Sequence, residues 1–376
     1  MDFALSEDQT QLRNVFARFC DEQIRPRAAA LDEAGEFPHE LFRQLGELGC
    51  FGLRYPESVG GTGLDLFSFC LAIREVARGS LSLAASASMQ AVMGTYFLHA
   101  LGNEDIHNRL LQSAIRGEKI GTICITEPDA GSDLSGIATS AEKTPEGYLI
   151  TGQKTWITSA PVADFFTVFA RAGPDRRLTI FLVERDFPGL RIGRSIEKMG
   201  VRASPTSEVF FDRCLVPEGH RLGAEGEGEN ALRAILSDVR ILTGALALGV
   251  AQAALDDARQ YAADRKAFGK PINRFQAIGM HLAEMGTELE AATHLVHYAA
   301  WLADQGRPHR REAAMAKLFA TERAAAICDK ATRIFGSYGF AMEFSAQRYL
   351  RDIRFTLYGG GTSEILKLLI AKEMAS

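Results

Sequence analysis

Residues 231–265 read ALRAILSDVRILTGALALGVAQAALDDARQYAADR, and this run limits the fold more than any other stretch. Its period is helical, and apolar or small residues cover much of the helix surface rather than one stripe. Such a helix needs partners on several sides, which places it in a bundle. Two helices of similar length follow, FQAIGMHLAEMGTELEAATHLVHYAAWLA at 275–303 and REAAMAKLFATERAAAICDKATRIFG at 311–336. Their surfaces also suit packing between copies of the chain.

The first third is helical too. Ser6 and Gln9 have capping-box spacing, with Leu12, Val15, Phe16 and Phe19 following at helical intervals up to Pro26. Pro38 opens a second helix that Gly49 closes, and the runs at 64–78 and 103–117 are two more. Near residue 120 the character changes. KIGTICITE, YLITGQKTWITS, DFFTVFARAG, LTIFLVE and SEVFFDRCLVP are short, rich in β-branched and aromatic residues, and separated by Gly, Pro and Asp. They predict an antiparallel β domain. The expected architecture is therefore α+β and multidomain: a helical domain over 1–120, a β domain over 121–228 and a helical bundle over 229–376.

Composition closes off several functions. A net charge of −5 gives no electrostatic case for nucleic acid or an anionic membrane. The six cysteines form no CxxC pair and read as buried thiols of a cytoplasmic protein. No signal peptide and no apolar stretch of membrane-span length is expected. His294 and His297 share a helix face with no third ligand near in sequence, so they read as a packed or solvated pair, and no metal site is expected.

CITEPDAGSD at 124–133 ends a strand in a turn whose backbone N–H groups and hydroxyls suit an anionic or carbonyl-rich ligand. KTWITSA at 154–160 sets Trp156 beside Thr158 on a strand. RKAFGKPINRFQ at 265–276 and RIFGSYGF at 333–340 follow long helices. Singly, each has an ordinary reading as core residue, surface charge or helix cap. In this order, with MGVRASPTSEVFFDRCLVP at 199–217 and RDIRFTLYGGGTSEI at 351–365, they resemble the acyl-CoA dehydrogenase family of flavoproteins along essentially the whole chain.

The resemblance implies an N-terminal helical domain, a middle β domain and a C-terminal four-helix bundle, assembled as a homotetramer or homodimer. It implies non-covalent FAD. Ile125, Thr126 and Ser132 would contact the flavin, with Trp156 and Thr158 flanking its ring and Ser132 also near the thioester. Arg265, Phe268, Gln276 and the turn around Arg333 and Gly336 would reach the FAD of a neighbouring subunit. Arg333 stands where the family has a Gln, and a guanidinium can still pair with pyrophosphate. Thr362 and Glu364 would close the flavin site. Gly361 would line the substrate, and Arg240 would meet its coenzyme A moiety.

The family's reaction takes a proton from the α carbon and a hydride from the β carbon of an acyl thioester. It needs a carboxylate base and an oxyanion site, part of which is the backbone N–H of the base residue. In most members the base is a Glu just before the last helix, at the position of Gly360 here. A minority carries it on the long helix directly before the Arg that matches Arg240, at the position of Val239 here. Both side chains that could take the proton are missing, while the N–H of Gly360 survives. Asp238 is the nearest displaced carboxylate, about 100° away around the helix, and it reads more simply as a helix or coenzyme A contact.

Three functions follow from that pattern. One is a dehydrogenase of an acyl thioester, on coenzyme A or an acyl carrier protein, with electrons leaving through an electron-transfer flavoprotein. The second is a flavoenzyme on the same fold that abstracts no α proton, such as a reduced-flavin monooxygenase or a β-eliminating enzyme. The third is a non-catalytic flavoprotein that binds a thioester.

Overall fold

The computed structural model describes residues 4–375. The N-terminal third contains helices α1 (Glu7–Phe19), α2 (Ala28–Ala34), α3 (His39–Glu47), α4 (Leu66–Gly79), α5 (Leu81–Ser88), α6 (Tyr96–Leu101), α7 (Glu104–Ile106) and α8 (Gln112–Ile115). The Ser6–Gln9 capping box is formed in both directions, at 3.1 and 3.0 Å. Asp65 caps α4 through the N–H of Ser68 at 2.7 Å. Each cap satisfies a donor that the first turn of a helix cannot satisfy internally.

Strands β1 (Gly121–Cys124), β2 (Ser140–Thr144), β3 (Gly147–Thr158), β4 (Phe165–Ala172), β5 (Arg177–Glu184), β6 (Leu190–Ser195), β7 (Thr206–Val216) and β8 (Arg221–Leu222) form one sheet in the order β6-β7-β3-β2-β4-β5-β8. The antiparallel expectation holds for most ladders. However, β1 runs parallel to β4 from Gly121↔Phe165 to Cys124↔Val168, and β2 meets β4 in parallel at Ser140↔Arg171. Nearly all of β4 and β5 is buried, as their unbroken apolar runs require. Strands β2 (SAEKT) and β6 (LRIGRS) were not foreseen because charged, mostly accessible residues hide their alternation.

The long run becomes α9 (Gly228–Asp264), followed by α10 (Gln276–Asp304), α11 (Arg310–Phe335), α12 (Ser345–Tyr358) and α13 (Ser363–Ala375). Helix α9 packs on α4, α10, α11 and α12 at once, so it crosses from the C-terminal bundle to the N-terminal helices. Its small residues make this possible: a Cβ on Gly249 would lie 2.2 Å from the carbonyl oxygen of Arg74 in α4. One expectation needs correction. Helix α9 is long and apolar enough to cross a membrane by length and composition. In the fold, 72% of its apolar window is buried against other helices, so the hydrophobicity answers to protein neighbours on several sides.

Candidate active site

Two strands build the first part of the site. The N–H of Thr155 donates to the carbonyl of Thr126 at 2.9 Å, and Thr122 Oγ1 donates to the carbonyl of Thr158 at 2.6 Å. Ile125 and Thr126 are thereby clamped to the strand that carries Trp156 and Thr158. Trp156 sits at φ +60° with its indole 58% exposed, which rules out the core reading. Ser132 lies on the exposed turn that follows.

Behind this face lies a residue that the sequence reading missed. Lys154 is fully buried, and its Nζ donates to the carbonyls of Ile125 (3.1 Å) and Phe169 (2.7 Å) and to Glu127 Oε1 (2.8 Å). Glu127 also accepts the N–H groups of Ala138 and Thr139, at 2.7 and 3.0 Å. Burial opposes the Glu127 charge, but Lys154 and these donors outweigh it and hold the carboxyl below its ordinary range. Burial also lowers Lys154, and Glu127 pulls it back. Glu127 therefore orders the turn. The sequence marks Lys154 only as a lysine inside the strand run YLITGQKTWITS, and its burial is visible only in the fold.

These residues fit a flavin. The hydroxyls of Ser159 and Ser207, at the end of the Trp156 strand and on its partner, are buried with no hydrogen-bond partner. The open aromatic face of Trp156 suits a flat ring, and the two buried hydroxyls are unspent donors on the core side of the same pair of strands.

Arg265, Phe268, Gln276, Arg333 and Gly336 form a second, exposed group. Arg265 lies over the Tyr338 ring at 5.4 Å, which joins it to the 333–340 turn. Phe268 is 95% exposed at φ +51°, and Gly336 adopts φ +61°. The guanidinium of Arg333 pairs with Asp329 at 2.7 Å within its own helix. Among the described residues, no hydrogen bond or ion pair ties this group to the Trp156 face.

The third part is the turn between α12 and α13. Gly360 sits at φ +71°, and a Cβ there would lie 3.1 Å from Thr243 Oγ1 and 3.8 Å from Val239 Cγ1. The two positions expected to hold a base therefore face each other across one small gap. Thr243 Oγ1 donates to the carbonyl of Val239 at 2.8 Å. Among the described residues no backbone acceptor takes the N–H of Gly360, which leaves it available to an oxyanion. Thr362 Oγ1 reaches the N–H of Ile365 at 3.4 Å. Glu364, exposed in the first turn of α13, is lowered by backbone N–H and Thr362 contacts, as expected of a cap.

Lys317, also unforeseen, holds this turn from behind. It is fully buried on α11 and donates to the carbonyls of Leu357 (3.2 Å) and Gly361 (2.7 Å). Burial pushes its ammonium down to about 8. Its trace in the sequence is a Lys among the buried alanines 313, 314, 316 and 320.

Asp238, the candidate for a displaced base, is already engaged by cations. Its carboxylate is held by Arg54 Nη2 at 2.6 Å and lies 3.6 Å from His309 Nε2, a Coulombic contact too long for a hydrogen bond. Burial pushes its pKa up, but His309 and Arg54 outweigh this and leave it below the ordinary range, which weakens it further as a base. Arg240, one residue after Val239, is only 9% exposed, and its Nε has no partner.

Comparison with known proteins agrees with the geometry. Residues 6–118 match the model of the acyl-CoA dehydrogenase N-terminal domain, 122–214 the middle domain and 226–375 the C-terminal domain. The chain is 66% identical to benzylmalonyl-CoA dehydrogenase of Aromatoleum aromaticum over the full length of both. It is 34% identical to the butyryl-CoA dehydrogenase structure from Megasphaera elsdenii, with a TM-score of 0.97 and all of both chains covered. It is 28% identical to PigA with FAD and proline, with a TM-score of 0.96 over 100% of this chain and 99% of the other. The chain belongs to the acyl-CoA dehydrogenase family and is an FAD-dependent flavin oxidoreductase of that family.

Proposed function

We propose that the protein is a decarboxylating dehydrogenase of a thioester carrying a carboxylate on its α carbon, with an aryl-bearing malonyl-CoA of the benzylmalonyl type as substrate. One observation carries the reading: Gly360 and Val239 face each other with no carboxylate between them. The relative that is 66% identical is named for a substrate in which the α carbon bears its own carboxylate.

The chemistry then closes without a base. Heterolysis of the bond between the α carbon and the carboxylate releases CO₂ and leaves the electron pair on the α carbon. The thioester carbonyl spreads that pair as an enolate, the same species that proton removal would give. FAD, when bound, supplies the acceptor for a hydride from the β carbon, so the products are CO₂ and the α,β-unsaturated thioester. The N–H of Gly360 stabilises the enolate oxygen, a contact that strengthens as charge develops there. Val239 presents only methyl groups to the gap, so no side chain there competes to take an α proton.

Ile125, Thr126, Trp156 and Thr158 would hold the flavin, with Ser132 at its edge and Thr362 closing it. Arg265, Phe268, Gln276, Arg333 and Gly336 would complete the FAD site of a second copy in a homodimer or homotetramer. The exposure of Phe268 and the separation of that group from the Trp156 face support this. Electrons would leave through an electron-transfer flavoprotein. Six free, buried cysteines fit a cytoplasmic location.

The test is anaerobic addition of benzylmalonyl-CoA to the yellow holoenzyme. The flavin bleaches, with one CO₂ and one 3-phenylacryloyl-CoA per FAD. 3-Phenylpropanoyl-CoA, which lacks the α-carboxylate, leaves the flavin yellow. Bleaching by the second thioester and not the first would overturn the reading.

A further inference from the structure

Two buried cations stand beside the Gly360 gap, and no ion pair among the described residues neutralises either. Lys317 reaches only two carbonyls, those of Leu357 and Gly361. Arg240 has no hydrogen bond to any described residue, and its Nε is buried without a partner. Lys317 is bonded to the Gly361 carbonyl, and Arg240 follows Val239 on α9. Beyond burial, the Arg240 charge lowers Lys317 further, while Glu322 and Glu364 pull it back from outside ion-pair range. Burial is also what lowers Arg240. An unpaired buried charge is costly. In a chain with a Glu at 360 or 239, that carboxylate would lie in the gap and offset the charge. Here no carboxylate stands at either position, and both cations are present.

We propose that Arg240 and Lys317 select the substrate by its α-carboxylate, so that the thioester brings the counter-charge that the protein lacks. This rests on the decarboxylation reading and adds the residues that choose the acid over the plain thioester. The sequence resemblance gave Arg240 a coenzyme A contact, but a guanidinium this buried beside Val239 is better placed for the acyl head. The cations act evenly along the reaction. The negative charge moves from the carboxylate to the enolate oxygen, a few ångströms apart, so a cation near both binds ground state and transition state alike. Losing Arg240 therefore raises KM more than it lowers kcat.

The experiment uses two thioesters that cannot reduce the flavin because neither has a hydrogen on the β carbon. Phenylmalonyl-CoA carries the α-carboxylate and phenylacetyl-CoA does not, and released CO₂ is measured alongside so that only intact phenylmalonyl-CoA enters the fit. Both are titrated calorimetrically into the oxidised holoenzyme. The wild type is expected to bind phenylmalonyl-CoA at least tenfold more tightly. Arg240→Met should reduce that preference to twofold or less, with Arg240→Lys retaining part of it. Lys317→Met should reduce it as well. A wild-type preference near one overturns the proposal without any variant. So does an Arg240→Met protein that loses both thioesters equally, which would mark a coenzyme A contact. The two readings separate cleanly. Turnover of benzylmalonyl-CoA with a preference unmoved by Arg240→Met removes this inference and leaves the function. A tenfold preference without CO₂ release removes decarboxylation and leaves the inference.

Discussion

At Gly360 the left-handed backbone and the close Thr243 hydroxyl both act against a side chain. A Glu placed there would strain the turn by roughly 1–2 kcal/mol and crowd Thr243 Oγ1 at 3.1 Å from its Cβ. Val239 is the better place to restore a base, because it is an ordinary helical position within α9 whose methyl already points at the gap. Val239→Glu should give the enzyme a carboxylate beside the α carbon, with Arg240 and Lys317 near enough to offset its charge. Anaerobic bleaching by 3-phenylpropanoyl-CoA should then rise at least tenfold over the wild type. Affinity for the α-carboxylated thioester should fall, since two carboxylates would compete for one gap. A variant that folds, holds FAD and still fails to bleach would show that something other than the missing base limits this activity.

The element that matters most for the flavin is the pair β1 and β3, and Lys154 fastens it. Replacing Lys154 with Met leaves Glu127 charged in a buried pocket with two backbone donors and no cation, which costs about 3 kcal/mol. The turn at 125–132 should loosen, and FAD affinity should drop tenfold or more by fluorescence titration. The double variant Lys154→Met/Glu127→Gln removes the orphaned charge and should recover part of the stability. If it recovers none, the carbonyl contacts of Lys154, and not the ion pair, hold the turn. The pair also shows where legibility stopped. Periodicity and β-branched runs exposed the order of helices and strands, because burial on one or both faces writes itself into sequence. The motif turns marked Ile125, Thr126, Trp156 and Thr158, which the fold brings side by side, and the missing carboxylates at 360 and 239 could be read against the family's motifs. That these two positions meet across one gap required the crossing of α9 beneath the last turn. Lys154 and Lys317 escaped because a lysine is ordinarily a surface residue, and only the fold shows the carbonyls that each one caps. The parallel entry of β1 beside β4 is likewise a long-range pairing with no local signature.

Across the whole molecule, α9 joins the two helical regions, so any group that titrates between α4 and the bundle bears on the stability of both. His297 on α10 is such a group. Its ring packs on Phe67 of α4 at 4.7 Å, and burial, helped by Arg74 and His294, lowers its pKa to about 4 from the ordinary 6.5. The unfolded chain therefore binds a proton that the folded chain refuses between those values. Stability is complete above about pH 6.5 and is lost as the pH falls toward 4. The shift corresponds to roughly 2 kcal/mol once partial solvent contact is allowed for. His297→Leu removes the titration and keeps an apolar contact for Phe67. Its melting temperature should fall less than that of the wild type between pH 7 and pH 4.5, followed by the release of flavin fluorescence on heating. Parallel curves for the two proteins would show that the acid limit is set elsewhere. Buried Asp352 is not a substitute explanation: burial raises its carboxyl to about 6, so it binds its proton more readily folded than unfolded, and its contribution runs in the opposite direction with pH.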